Sequence, residues 1–258
     1  MIDVVELLEL SKTIATQVGS KLLDSFNEDH KTYVHSDDYP KEIKAMADTV
    51  LERDILNALS PIGLPILSEE SGYISGNKES KYWFVIDPLD GTYNFVKGLG
   101  PSGISIALWQ DREPIFGVIF NLSDRTLTWG GRNLGAYCDD REISVSDTKN
   151  IEQGSLCTGF PVRFDVTSEN AMEDFWMSVI RFSKVRMLGS ASVSLLHVAN
   201  GSADVYAEKN IMLWDIAAGL AIVEGAGGRY FLNEAKHEWS CNVCASNIHL
   251  ILDDICDF

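Results

Sequence analysis

The chain is predicted to be an α/β protein built in layers, with helices covering sheets. Two observations carry that expectation. Runs rich in β-branched and aromatic residues alternate with segments whose apolar residues recur at helical spacing. No internal repeat or low-complexity tract breaks the alternation over 258 residues, a length that buries a sizeable core as one large domain or two smaller ones. The polar stretch SDTKNIEQG at 146–154 then divides the chain into an N-terminal α/β part, 1–150, and a C-terminal one, 151–258.

In chain order, Val4, Leu7, Leu8, Ile14, Val18, Leu22 and Phe26 mark one face of an amphipathic helix. A second helical pattern runs from about Lys44 to Leu59, and LPIL at 64–67 reads as a short buried strand. YWFVI, ISIALW and IFGVIFN are β-rich, and the polar QDRE between the last two predicts a hairpin. TLTWGG, GAYCDD and EISVS continue the strands to residue 146. Beyond the polar stretch, the strands SLCTGF, KVRML, ADVYAE, GRYFL and NVCAS interleave with helical patterns at about 168–183, 190–200, 214–225 and 247–256.

Charge narrows the function. With 21 basic and 38 acidic residues the formal net charge is −17, which repels phosphate backbones and anionic lipid, so neither nucleic acid nor membrane is an expected partner. The first residues carry several acids and no basic leader ahead of an uninterrupted apolar run, and no run approaches the ~20 apolar residues that span a bilayer. A cytoplasmic protein is expected. Five cysteines fit no disulfide framework in a chain this long. The pair Cys241 and Cys244 has CxxC spacing, but no second such pair or histidine cluster completes a zinc site, and buried, reduced thiols are expected.

The stretch WFVIDPLDGTYNFVKG ends a strand on two carboxylates, Asp87 and Asp90, before a Gly91-Thr92 step that can open a helix. In layered α/β proteins the carboxyl ends of strands are where ligands sit, and two like charges there are costly without a cation between them. A helix cap and a turn residue would account for the same letters. A calcium loop is excluded because the twelfth residue from Asp87 is Gly98, and a haloacid-dehalogenase nucleophile because Pro88 stands two before Asp90. Other acids share such settings: Glu69 and Glu70 follow LPIL, and Asp215 heads an apolar helix.

Together the stretches SEES, DPLDGTYNF with SIAL, and WDIAAGLAIVEGAGG resemble, in order and separation, the signatures of the inositol monophosphatase family of magnesium-dependent, lithium-sensitive phosphatases. TGFP at 158–161, GSAS at 189–192, GSADVYAE at 201–208 and the late ASN extend the resemblance over nearly the whole chain. The resemblance implies a layered αβαβα sandwich of the inositol monophosphatase and fructose-1,6-bisphosphatase type. It implies that Glu69, Asp87 and the Leu89 carbonyl hold one Mg2+, that Asp87, Asp90 and Asp215 hold a second, and that two or three ions bind per site. Magnesium suits such ligands, being a hard cation that favours oxygen. Water activated by metal would attack phosphorus in line, with Thr92 orienting it, Asp48 behind Thr92 and Glu69 assisting, and without a covalent enzyme intermediate. The Gly91 and Thr92 N–H groups would cradle phosphate, while Gly189, Ser190, Ala191 and Glu208 would face the substrate's polyol. Three positions depart from the family pattern: Ala45 with Lys44 before it where a threonine is usual, Ser68 where a glycine is usual, and a proline displaced by one place in KGLGPSG.

The function expected is hydrolysis of a small polyol or sugar phosphate, inositol monophosphate first, by a homodimeric enzyme. Histidinol phosphate, fructose 1,6-bisphosphate and 3'-phosphoadenosine 5'-phosphate are substrates of relatives and stand as alternatives. A catalytically silent metal-binding scaffold is the alternative of another class, against which the complete acid set with Thr92 speaks.

Overall fold

The computed structural model describes residues 3–25, 28–35, 43–76, 79–160 and 169–250, with the side chains of 28 and 169–171 excepted. The chain opens with helix α1 (Val4–Asp24), N-capped by Asp3, whose Oδ1 accepts from the Val5 and Glu6 N–H groups at 3.0 and 3.2 Å. Its apolar stripe is buried from Leu7 to Leu22, while Phe26 lies outside the described residues. A hairpin of β1 (Tyr33–His35) and β2 (Ile43–Ala45) precedes helix α2 (Met46–Leu59). The helix predicted from Lys44 therefore starts two residues later. Lys44 and Ala45 belong to β2, and the Asp48 carboxylate accepts the Ala45 N–H at 2.8 Å, which fixes the helix start.

Eight strands form the larger sheet: β3 (Ile66–Ser68), β4 (Gly72–Ile74), β5 (Tyr82–Asp90), β6 (Gly103–Gln110), β7 (Glu113–Asn121), β8 (Thr126–Gly131), β9 (Gly135–Cys138) and β10 (Arg141–Glu142). The short helix α3 (Thr92–Lys97) follows β5. The turn between Gln110 and Glu113 joins β6 to β7 as predicted. EISVS gives only Glu142 to β10, because the chain then leaves the sheet and Val145 N donates to Ala226 O instead.

After helix-like turns at Ile151–Gln153, a five-stranded sheet is built from β11 (Ser155–Cys157), β12 (Lys184–Arg186), β13 (Val205–Met212), β14 (Arg229–Glu234) and β15 (Ser240–Ser246), in the order β12-β11-β13-β15-β14. Its helices are α4 (Glu169–Val179), α5 (Ala191–Ala199) and α6 (Leu213–Gly225). ADVYAE runs on past its predicted end to Met212, with an irregular register between Glu208 and Ile211. No helix starts at Asn247. Its Oδ1 accepts from the His249 and Leu250 N–H groups in a turn, and the rest of that predicted helix lies outside the described residues.

These elements stack as α/β/α/β/α. Helices α1 and α2 cover one face of the large sheet through Leu8, Ile14, Leu51 and Ile55. Helices α5 and α6 fill the space between the sheets, which is why Ile216 to Val223 read as apolar on every side of the helix. The packing there is close, since any side chain at Gly117 of β7 would collide with the Ala218 backbone. Val179 and Phe175 of α4 pack on the outer face of the small sheet against Val205 and Ala207. Cys241 and Cys244 stand three apart on β15 and enter different cores, Cys241 beside α6 and Cys244 on the α4 side, so they share neither a disulfide nor a metal. Burial pushes the Cys241 thiol up to about 11. Among the described residues, no helix is long and apolar enough to cross a membrane.

Candidate active site

In a regular strand, residues three apart face opposite sides of the sheet. Asp87 and Asp90 escape that rule through a bulge. Asp87 pairs with Ser105 and Asp90 with Gly103, so β5 takes three steps where β6 takes two. Pro88, which has no N–H to lose, occupies the irregular stretch. The chain then turns through Gly91 at φ +80°, where an added Cβ would stand 2.8 Å from Pro101 O, and α3 begins.

Each carboxylate has a distinct holder. Asp90 Oδ2 accepts from Ser190 Oγ at 2.5 Å, Ser192 Oγ at 2.5 Å and Ser192 N at 2.7 Å, and its Oδ1 from Ala191 N at 3.3 Å. It therefore sits on the N-terminus of α5, where free N–H groups favour an anion. Asp215 is the third residue of α6, and its Oδ2 accepts the Met212 N–H at 3.2 Å. Asp87 Oδ1 accepts the Leu89 N–H at 2.9 Å, but its buried Oδ2 has no donor among the described residues.

One ligand atom from each of Asp87, Asp90 and Asp215 lies within 4.8 Å of the others, and Asp48, Glu69 and Glu70 form a second group meeting the same limit. The groups adjoin, since Glu69 and Asp87 approach closely enough to hydrogen-bond when one carries a proton. Burial, and then the other carboxylates, raises Glu69 and Asp87 well above the usual carboxylate range. Burial also raises Asp90, although its four hydrogen bonds pull the other way. An orphaned buried oxygen amid crowded hard oxygens is what a divalent cation satisfies, so this donor set fits a hard divalent ion.

Thr92 Oγ1 lies 2.9 Å from Asp48 Oδ1 and 2.9 Å from the Leu89 carbonyl, and its single hydrogen serves one of them at a time. Burial raises Asp48 to about 7, so near neutrality it can accept from the Thr92 hydroxyl as a carboxylate or donate to it as a carboxylic acid.

A cleft of about 210 Å3 opens beside these acids, lined by Asp90, Gly189, Ser190, Ala191, Glu208 and Asp215 among others. Glu208, on β13, is raised to about 7 by burial, and Tyr206 donates to its Oε2 at 3.0 Å. Gly159 leaves room for it, since a Cβ there would lie 2.9 Å from Oε2. The structure places Asp90, Gly189, Ser190, Ala191, Glu208 and Asp215 on this cleft, and Asp48, Glu69 and Asp87 in the two adjoining acid groups, with Thr92 hydrogen-bonded to Asp48. It also supplies supports that sequence reasoning missed. Ser192 and Tyr206 hold Asp90 and Glu208. Asn94 Nδ2 ties α3 to the Pro101 and Leu188 carbonyls at 2.9 and 2.7 Å. Glu52 Oε1 accepts from Ser68 Oγ at 2.5 Å and Ser71 N at 2.9 Å, gripping both ends of the Glu69–Glu70 turn. The only signal was local: Ser190-Ala191-Ser192 before an apolar helix is a capping pattern.

An αβαβα sandwich with carboxylates that could hold metal at a strand's end, facing a polar cleft, fits a metal-dependent hydrolase. Residues 3–250 match the sequence model of the inositol monophosphatase family, and the chain belongs to that family. It is 34% identical to Nus factor SuhB of Xylella fastidiosa over 82% of this chain and 78% of that protein. It is 32% identical to the fructose-1,6-bisphosphatase/inositol-1-monophosphatase of Aquifex aeolicus over 87% and 85%. The solved inositol monophosphatase from Anabaena superposes with a TM-score of 0.81 at 30% identity, covering 99% of this chain and 95% of that one. The family is metal-dependent and acts on small phosphorylated substrates.

Proposed function

We propose that the protein is a Mg2+-dependent monophosphatase of a small polyol or sugar phosphate, with inositol monophosphate the first choice. The observation that carries this reading is one cleft lined both by the Glu208 carboxylate and by Asp90 and Asp215 of the Asp87–Asp90–Asp215 group. The cleft also contains Gly189 and Ala191, small residues that leave space for a saturated ring.

Asp87, Asp90 and Asp215 would hold one divalent ion, and Glu69, Asp87 and the Leu89 carbonyl another. When bound, such ions lower the pKa of water and neutralise charge on the phosphate and the leaving oxygen. The residues do the remaining work. Thr92 Oγ1 would accept a proton from the attacking water as its own hydrogen passes to Asp48 Oδ1, whose pKa of about 7 suits a base at neutral pH. The N–H groups of Gly91 and Thr92, at the start of α3, donate to phosphate oxygens. Glu208 accepts hydrogen bonds from substrate hydroxyls, with Tyr206 fixing its orientation. The parts before and after residue 150 would be two α/β units, the first carrying Glu69, Asp87 and Asp90 and the second Asp215 and the substrate-side residues. A homodimer is the proposed assembly, lithium inhibition the proposed pharmacology and the cytoplasm the proposed compartment.

The test is a panel of phosphate monoesters compared by kcat/KM in Mg2+. Highest values for inositol or sugar monophosphates support the reading. Preference for 3'-phosphoadenosine 5'-phosphate overturns the polyol assignment, and release of phosphate from none of them leaves a silent metal-binding scaffold.

A further inference from the structure

Residues of both sheets line a second cavity, which shares no lining residue with the active-site cleft and measures about 1090 Å3 against 210 Å3. The large sheet contributes Trp83 and Trp109, which pair across β5 and β6, and the β14–β15 hairpin contributes Tyr230, Leu232 and Trp239. From the helix layer, Leu213 at the head of α6 reaches the lining. The indoles brace one another: Trp83 meets Trp109 edge-on at 5.9 Å between ring centres, and Trp239 at 5.9 Å with a tilt of 47°. Trp239 is held in the left-handed region at φ +61°, an uncommon state for a bulky residue, because its carbonyl accepts the Leu213 N–H at 2.9 Å and a turn from His237 to Ser240 closes beside it. Trp83 Nε1 donates to the Asp111 carbonyl at 2.9 Å, whereas Trp109 Nε1 is buried with no acceptor among the described residues.

We infer that this cavity is a second binding site, for a flat heteroaromatic compound without negative charge that turns a hydrogen-bond acceptor toward Trp109 Nε1. Indole and phenol rings with leucine side chains between them favour a flat ring through stacking and burial. The orphaned indole N–H supplies the polar term, since a buried donor without a partner costs free energy that an arriving acceptor recovers. Charge sets the ligand class. Asp111, Glu113, Glu234 and Glu238 outnumber Arg112 and Lys236 in the lining, and acid stays in excess even with His237 protonated. A carboxylate or phosphate is therefore disfavoured, which separates this site from one for the phosphorylated substrate. An ion pair of Arg112 with Glu234 at 2.9 Å joins the β6–β7 turn to β14, but both side chains are largely exposed and opening it costs little. The site stands independently of the phosphatase reading.

The test compares two probes of one shape on the full chain: quinoline, whose ring nitrogen accepts a hydrogen bond, and naphthalene, which has no acceptor. Kd is taken from NMR titrations, with thermal unfolding to check that each variant is folded. Wild type should bind quinoline at least ~3-fold tighter than naphthalene, and quinoline-4-carboxylate more weakly than quinoline. Trp109→Phe should erase the advantage of quinoline over naphthalene. Trp239→Ala, a change in a partly exposed turn, should weaken both probes at least ~5-fold. Glu234→Lys/Glu238→Lys, on the surface, should strengthen binding of the carboxylate. No binding of either probe by wild type, or unchanged binding in Trp239→Ala, overturns the site. Equal affinity of wild type for quinoline and naphthalene, or an undiminished difference in Trp109→Phe, overturns the role of the indole N–H. Tightest binding of the carboxylate overturns the ligand class.

Discussion

Replacing Glu208 by glutamine tests the substrate reading with little disturbance of shape. Tyr206 donates to Oε2 at 3.0 Å, which leaves Oε1 and a remaining lone pair for substrate hydroxyls. The glutamine keeps one carbonyl acceptor but turns the other oxygen into a donor and removes the charge. Losing a hydrogen bond to a charged acceptor costs about 1.5–3 kcal/mol, or roughly 10- to 150-fold. The assay is kcat/KM for inositol or sugar monophosphate against p-nitrophenyl phosphate, which lacks the hydroxyls, measured from pH 5.5 to 8.5. The variant is expected to lose at least ~10-fold on the polyol ester and little on the aryl ester. Because burial raises Glu208 to about 7, the wild-type ratio of the two constants should climb as pH rises through that value and then level off. In the variant the ratio should be low and flat. Equal losses on both esters would refute the reasoning and make Glu208 a support of the metal site or the fold.

Asp90→Asn should cut turnover at saturating Mg2+ by at least ~10²-fold while the protein stays folded, because it removes a charge from the metal group and sets an amide hydrogen among the Ser190 and Ser192 donors. Near-normal turnover would end the assignment of Asp90 as a ligand. Chelation should abolish activity and added Mg2+ restore it, with full activity in excess chelator as the contrary result. In the chelated protein, Asp48, raised from 3.8 to about 7, contributes stability that is present below its unfolded value and lost as pH rises through 7. Burial lowers His197, which works in the opposite sense, so the measurement is a comparison. Between pH 5 and 8 the metal-free wild type should lose thermal stability relative to Asp48→Asn, and a gap that closes as pH rises would contradict the raised carboxyl.

What the sequence made legible was contiguous. Strand β5, the hairpin of β6 and β7, and helices α5 and α6 follow from local periodicity, and the acids were found because each stands at the end of such an element. What stayed hidden was set by register and by distance along the chain. The bulge between Asp87 and Asp90 depends on how β5 pairs with β6, which no property of DPLD specifies. Ser192 reaches Asp90 across 102 residues. β1 and β2 are three residues each, too short for a period to register, and β2 took Lys44 out of the predicted helix.

The bulge also answers why such mutually repelling groups are tolerated. Two carboxylates on opposite faces of β5 would give one of them no cation and no helix end. Turned to the same face, Asp90 meets the N-terminus of α5, and Asp215 is already on the first turn of α6. Both helices are pinned between the sheets by apolar side chains that are almost wholly buried, Leu195 and Val198 on one and Ile216 and Leu220 on the other. Their dipoles cannot turn away from the acids without opening the core. The core thus holds the carboxylates together against their repulsion in the metal-free protein, and the repulsion that remains is released when a cation binds. A cation entering a site built this way would meet ligands that the fold, not the metal, has already assembled.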